Sequence, residues 1–327
     1  GAVSSAGDVN RDGFSDIIVG VENEDGTGTS YVFVGGLNMN NQYDYKLPGE
    51  KNNDHFGTSV ASAGDVNKDG YSDIIIGAPA YSYDGIQSGR AYIYYGGFYM
   101  DTIRDVILSG GLRDNFGCSV SGLGDINGDG YSDVIVGARY NSYNGENAGR
   151  VYLYCGSTDM DSTCDFIFNG ENTKDEFGSS VASGGDINND GFDDIIIGAP
   201  YNGYNLRKNG KAYIYFGGNS ISNIPQIVFT GSGDEYLGYC VSTAGDINGD
   251  NFDDIIIGAP LYSGIYGVVY LYISSSPAIV PRLISVSDVP NDQGGNVRVK
   301  FTRSGYDASG QNRITGYYIE KSPPPGV

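Results

Sequence analysis

The chain has 327 residues, 39% of them hydrophobic, with 52 glycines, 28 tyrosines and no tryptophan. So much glycine without a long apolar run argues against a transmembrane segment and for short strands and turns, and the length leaves room for two or more domains. Forty acidic against 19 basic residues give a formal charge of −21, which argues against nucleic acid as a partner.

From the N-terminus, the first informative stretch is Asp8-Val-Asn10-Arg-Asp12-Gly13-Phe14-Ser-Asp16. Four more follow at intervals of about 60 residues. They carry Asp65, Asn67, Asp69, Tyr71 and Asp73; then Asp125, Asn127, Asp129, Tyr131 and Asp133; then Asp186, Asn188, Asp190, Phe192 and Asp194; and last Asp246, Asn248, Asp250, Phe252 and Asp254. Each reads D-x-N-x-D-G-x-x-D, with Asn251 replacing the glycine in the fifth. Oxygen side chains at positions 1, 3, 5 and 9, with the main-chain carbonyl at position 7, form a donor set for a hard cation. Ca²⁺ accepts such flexible all-oxygen geometry, whereas Mg²⁺ demands a stricter octahedron.

An EF-hand loop opens in the same way but needs Glu at position 12 and flanking helices. Position 12 here is Val19, Ile76, Val136, Ile197 or Ile257. The β-branched run after position 9 reads as a buried strand, so each loop joins two strands. The expectation is about five structural Ca²⁺ ions, each neutralising three carboxylates and fixing the angle between its strands.

From the second copy onward the units share one grammar. An aromatic-glycine pair opens each: Phe56-Gly57, Phe116-Gly117, Phe177-Gly178, with Leu237-Gly238 as a weaker fifth. A short strand (residues 58–63 in the second unit), the acidic loop and a buried strand follow. That strand ends in Gly77-Ala78-Pro79, Gly198-Ala199-Pro200 or Gly258-Ala259-Pro260, with Gly137-Ala138-Arg139 and Gly20-Val21-Glu22 as degenerate versions. A Tyr- and Asn-rich loop leads to an alternating strand such as Ala91-Tyr-Ile-Tyr-Tyr95, and a fourth strand closes the unit at 106–108, 166–168 and 227–229. Four antiparallel strands repeated radially make an all-β propeller.

Phe-Gly, the acidic loop and Gly-Ala-Pro in this order resemble FG-GAP repeats, as in integrin α-subunit propellers and many bacterial surface proteins. The resemblance covers residues 1–275. Such propellers usually have seven blades, so further repeats are expected before Gly1, which falls inside a unit, or else a smaller ring. Residues 276–327 break the grammar. Leu283-Ile-Ser-Val286, Val297-Arg-Val-Lys-Phe301 and Ile314-Thr-Gly-Tyr-Tyr-Ile319 resemble the opening strands of a fibronectin type III sandwich. That fold needs about seven strands and some 100 residues. Cys155 and Cys164 flank a hairpin loop and could pair, while Cys118 and Cys240 read as small buried fillers.

Strand direction puts the acidic loops and the loops between third and fourth strands on one face. The opposite face is expected to collect Tyr81, Tyr83, Tyr140, Tyr143, Tyr201, Tyr204, Tyr262 and Tyr266, joined by Asp54, Asp114, Lys174, Asp175 and Asp234. Tyrosine buries area while keeping a polar handle, which suits a protein or glycan partner. In integrins the face away from the calcium loops binds partners, and the resemblance implies the same here. The single histidine, His55, permits no Ser-His-Asp or Cys-His arrangement, and no N-x-S/T sequon occurs. The sequence reads as a non-enzymatic adhesion module, extracellular or at the cell surface. The alternatives are a surface-filament subunit assembled through residues 280–327 and, last, a glycan hydrolase with a carboxylate pair.

Overall fold

The computed structural model describes residues 1–83, 85–203, 208–260 and 267–275 in full, and 284–288 and 297–300 by their backbone. Five antiparallel sheets follow one another along the chain. Sheet one holds β1 (Ala2–Gly7), β2 (Asp16–Val21), β3 (Thr29–Phe33) and β4 (Tyr45–Pro48). Sheet two holds β5 (Ser59–Gly64), β6 (Asp73–Ala78), β9 (Arg90–Tyr94) and β10 (Val106–Ser109), with a small hairpin of β7 (Ser82–Tyr83) and β8 (Ile86–Gln87) at its edge. Sheet three holds β11 (Phe116–Gly124), β12 (Asp133–Ala138), β13 (Arg150–Tyr154) and β14 (Phe166–Asn169). Sheet four holds β15 (Ser180–Gly185), β16 (Asp194–Ala199), β17 (Lys211–Tyr215) and β18 (Ile227–Thr230). Sheet five begins with β19 (Cys240–Gly245), β20 (Asp254–Ala259) and β21 (Val268–Tyr272).

The first strand of each sheet packs on the first strand of the next: β1 on β5, β5 on β11, β11 on β15 and β15 on β19. Sheets that share an inner edge in this way form a propeller-like fold. The β-branched runs after the loops supply the core. β6, β12 and β16 are buried at every residue. Alternation divides their side chains between neighbours. Ile74 and Ile76 join Ile18, Val32 and Leu47 of sheet one, whereas Ile75 joins Val120, Val134 and Val136 of sheet three. Four clusters of this kind each lie between successive sheets.

The aromatic-glycine pairs close these seams. Phe56, Phe116 and Phe177 are fully buried, with Tyr92, Tyr152 and Tyr213 at 5.5, 5.3 and 5.3 Å between ring centroids. Each also donates its N–H to the preceding sheet, to the carbonyls of Thr27, Ser88 and Ala148. Leu237 takes the same place and bonds to Asn209.

Two expectations change. The strands expected to open a sandwich extend sheet five instead. β22 (Ile284–Asp288) pairs antiparallel with β21, Val268 opposite Ser287, and β23 (Val297–Lys300) pairs with β22. Without β22, β21 would present an open row of main-chain donors and acceptors, and the nearest segment with strand character satisfies it. Residues 314–319 lie outside the described residues, so nothing described supports a sandwich. Second, all four cysteines are free thiols. Cys118 does fill a seam, its Sγ 3.4 Å from the Gly137 carbonyl and 3.5 Å from that of Gly178. Cys240 is exposed, because its side chain lies on the face of sheet five that no described sheet covers. Among the described residues no helix is long and apolar enough to cross a membrane.

Candidate functional site: the acidic loops and the opposite face

A β-bulge ends the first strand of every sheet just before the acidic loop, between Ser62 and Gly64 in sheet two and at the matching place in the others. Bulges redirect a strand, and here each turns the chain into the loop. The five loops share one conformation. Position 6 lies in the left-handed region at φ 90° for Gly13, 92° for Gly70, 85° for Gly130 and 91° for Gly191. Asn251 stands there at φ 69°, the substitution that this region tolerates best.

The carboxylates curl around their own backbone. In the second loop Asp65 accepts the N–H of Asp69 at 3.0 Å on one oxygen and that of Gly70 at 2.9 Å on the other. Asp69 accepts Tyr71 N–H at 3.0 Å and Asn67 Nδ2 at 2.9 Å. The position-9 aspartate is buried and braces the frame. Asp73 accepts Val66 N–H and, from the turn after β9, Gly96 N–H, both at 2.8 Å. Asp16, Asp133, Asp194 and Asp254 repeat both bonds. This bracing role was not visible in the motif, where position 9 reads only as a ligand.

Burial, helped by the like charges at positions 1 and 5, lifts the Asp73, Asp133 and Asp194 carboxyls to about 7 in spite of their backbone bonds. Asp254 reaches about 6 and Asp16 also rises, for the same reasons. Among the described residues no lysine or arginine forms a salt bridge to any of these loops. The fit to a cation is therefore good in chemistry: hard oxygen donors and three carboxylates, with no salt bridge to them among the described residues. Asn188 Oδ1, the position-3 oxygen of the fourth loop, is buried without a hydrogen-bond partner. Among the described residues no group of three or more acidic, histidine or cysteine side chains is drawn close enough to hold a metal as it stands.

At three of the four joints neighbouring loops are tied through position 8, which sequence reasoning passed over. Ser72 accepts the N–H of Asp8 on its hydroxyl at 3.1 Å and donates its own N–H to the Asp8 carbonyl at 3.1 Å. Ser132 does the same to Asp65, and Asp253 to Asp186, with a carboxylate in place of the hydroxyl.

On the opposite face the tyrosines divide. Tyr83 and Tyr143 are exposed, and Tyr140 lies at the surface beside Arg139. Tyr201 packs edge-on against Tyr236. Tyr81 is instead buried, with the Arg90 guanidinium 3.8 Å from its ring centroid. Tyr204, Tyr262 and Tyr266 lie outside the described residues. Asp54, Asp114 and Asp175, expected beside the tyrosines, are buried and accept the N–H of Lys51, Gly111 and Asn172. Asp114 and Asp175 also hold the amides of Asn141 and Asn202 at 2.9 and 2.7 Å. An unpaired carboxylate would not be stable there, so these residues clamp the turn instead of meeting a partner. A signal existed: an acid stands two residues before each aromatic-glycine pair, with Glu235 before Leu237. Lys174 and Asp234 are exposed; Lys174 pairs with Glu146 at 3.3 Å, and Asp234 accepts Lys208 N–H. His55 sits in the same turn, its carbonyl accepting the Thr58 hydroxyl.

Antiparallel sheets in propeller-like succession, each carrying an acidic loop, with Phe56, Phe116, Phe177 or Leu237 sealing the four seams between them, define a repeat class. The chain belongs to the FG-GAP repeat family, which matches at residues 1–33, 56–94, 116–154, 177–215 and 241–272. Among proteins with related sequences, integrin alpha-5 of Xenopus laevis is 32% identical over 254 residues, 72% of this chain and 22% of the integrin. Integrin alpha-6 of Gallus gallus is 35% identical over 153 residues, 46% of this chain and 14% of the integrin. Integrin alpha-3 of Cricetulus griseus is 29% identical over 227 residues, 67% and 21%. The chain thus spans between 14% and 22% of the length of these relatives.

Proposed function

We propose that residues 1–275 form a calcium-stabilised, integrin alpha-like adhesion module, working outside the cell or at its surface, and that it binds a protein partner through the face opposite the acidic loops. The observation that carries this reading is the division of labour between the two faces. One gathers five like acidic turns whose carboxylates make no salt bridge among the described residues. The other presents exposed Tyr83 and Tyr143 beside turns whose acids, Asp54, Asp114 and Asp175, are turned inward. Ca²⁺ would be held by positions 1, 3, 5 and 9 and the carbonyl of position 7, about one ion per loop. It would neutralise the carboxylates gathered in each turn. Integrin relatives support protein recognition in adhesion, and nothing described favours a glycan partner or turnover of a substrate. Assembly through residues 280–327 gains no support either, since β22 and β23 are already paired within sheet five.

An array of extracellular protein domains probed with the chain in calcium buffer tests the reading. The double variant Tyr83→Ala/Tyr143→Ala should lose about tenfold or more in binding to whatever the native chain retains. Unchanged binding would remove this face from the account.

A further inference from the structure

The loops of the partner face enclose a recess of about 710 Å³ between sheets two and three. Its walls come from the turn before β5, the β7–β8 hairpin, the turn before β11 and the loop after β12. Arg113 is the one charged side chain among the described residues that line it. The Arg113 main chain is held by the Gln87 carbonyl, whereas its guanidinium makes no hydrogen bond, ion pair or ring contact among the described residues. Five unused N–H donors therefore stand at the rim of a concave site.

A second guanidinium stands beside two of the lining residues without lining the recess itself. Arg139 donates from Nε to Asn115 Oδ1 at 2.8 Å and lies 4.8 Å from the ring centroid of Tyr140, another lining residue. Nearby carboxylates are engaged elsewhere. Asp54 and Asp114 are buried on backbone N–H groups, and Glu50 pairs with Arg90 at 2.7 Å. In a chain of formal charge −21 an unanswered cation in a recess is a selective feature, because the protein's wider field repels the anions that it would attract. The remaining walls are rich in carboxamides. Asn53, Gln87 and Asn147 each offer both donors and an acceptor, the complement of an extended main chain.

We propose that this recess binds an extended acidic peptide segment of the partner, with an Asp or Glu carboxylate on the Arg113 guanidinium and the amides on the peptide main chain. The planar fork of arginine matches a carboxylate with two parallel bonds, which lysine cannot reproduce. The inference rests on the protein-binding reading above and adds the chemistry of one contact to it.

Fluorescence anisotropy with labelled, terminally blocked Gly-Ser-Asp-Ser-Gly, its Asn counterpart and an Asn version with a free C-terminal carboxylate tests it on the whole chain in calcium buffer. The Asp peptide should bind, with the Asn peptide weaker by about tenfold or more. Arg113→Gln should lose the same factor and Arg113→Lys most of it, both with unchanged melting temperature since the side chain is exposed. Binding of the free-carboxylate peptide alone would place a chain terminus, not a side chain, at Arg113 and overturn the assignment to Asp or Glu. Equal binding of blocked Asp and Asn peptides, indifference to Arg113→Gln, or saturable binding of sialyllactose in place of the peptide would overturn the proposal. If Arg113→Gln changes nothing while the Tyr83/Tyr143 variant loses its partner, only the carboxylate contact fails. If neither variant matters, the face itself is wrong.

Discussion

The inner seams and the two end faces are built from the same repeat, yet they differ in what their residues experience. Val60, Val120, Val181 and Val241 open the first strands of sheets two to five and are nearly buried, at 8%, 7%, 6% and 5% exposure. Val3, at the matching place in sheet one, is 72% exposed. At the other end Ile247 is 51% exposed, where Val9, Val66 and Ile126 are fully covered by the following sheet. Val269 is likewise open where Ser30, Ala91, Val151 and Ala212 are sealed. Burial in this fold belongs to the joint between two sheets, not to any one repeat.

Removing calcium should give the largest effect, because it acts on all loops together. Saturation at about a hundred times Kd is worth ~2.7 kcal/mol for each site. Chelation should therefore lower the melting temperature by several degrees or more, measured by scanning calorimetry. An unchanged transition would sink calcium stabilisation.

Next comes Ile75→Ala, which should cost about 2–5 kcal/mol in urea unfolding as a cavity between sheets two and three. Ile256→Ala occupies the matching position on the open side of sheet five, where the side chain is only half-buried, and should cost clearly less. Equal losses would contradict the contrast between seam and end.

Gly64→Ala against Gly245→Ala sharpens it further. Both glycines have positive φ, 76° and 65°, so both substitutions carry backbone strain. A Cβ on Gly64 would meet the Ser132 side chain at 2.4 Å, whereas nothing lies within 4 Å at Gly245. The excess cost at Gly64, expected near ~1 kcal/mol or above, isolates the joint itself.

The smallest effect is one of pH. Asp73, Asp133 and Asp194 rise to about 7 from the ordinary 3.8, so the folded chain binds their protons more tightly than the unfolded chain. Without metal, this contribution is present at low pH and lost as pH rises from about 4 through about 7. The melting temperature of metal-free protein should drift down over that interval, and calcium should flatten the drift. Asp254, at about 6, should weigh less than the inner three.

Much of the architecture was legible because five copies of one pattern reinforce each other: the loop, its strands and the aromatic-glycine seal fall where the spacing put them. What escaped depended on context. Val3 and Val60 sit in near-identical words, and only the presence of a preceding sheet separates them. Asp114 looks like a surface acid until the Gly111 N–H and the Asn141 amide are seen to enclose it. Ile284–Asp288 has the composition of any exposed strand, and the open edge of β21 decides its partner. In the loops, the motif named the donors but could not show that position 9 braces the turn or that position 8 reaches the neighbouring loop.

The position-8 bond has a consequence for how such chains change in length. Ser72, Ser132 and Asp253 all grip the same main-chain groups of the preceding loop, so these three joints differ in whether a hydroxyl or a carboxylate does the gripping. Excising a whole unit of about 60 residues would bring together two surfaces that already know how to dock. Lineages can thus gain or shed units by copying and deletion without inventing a new interface each time.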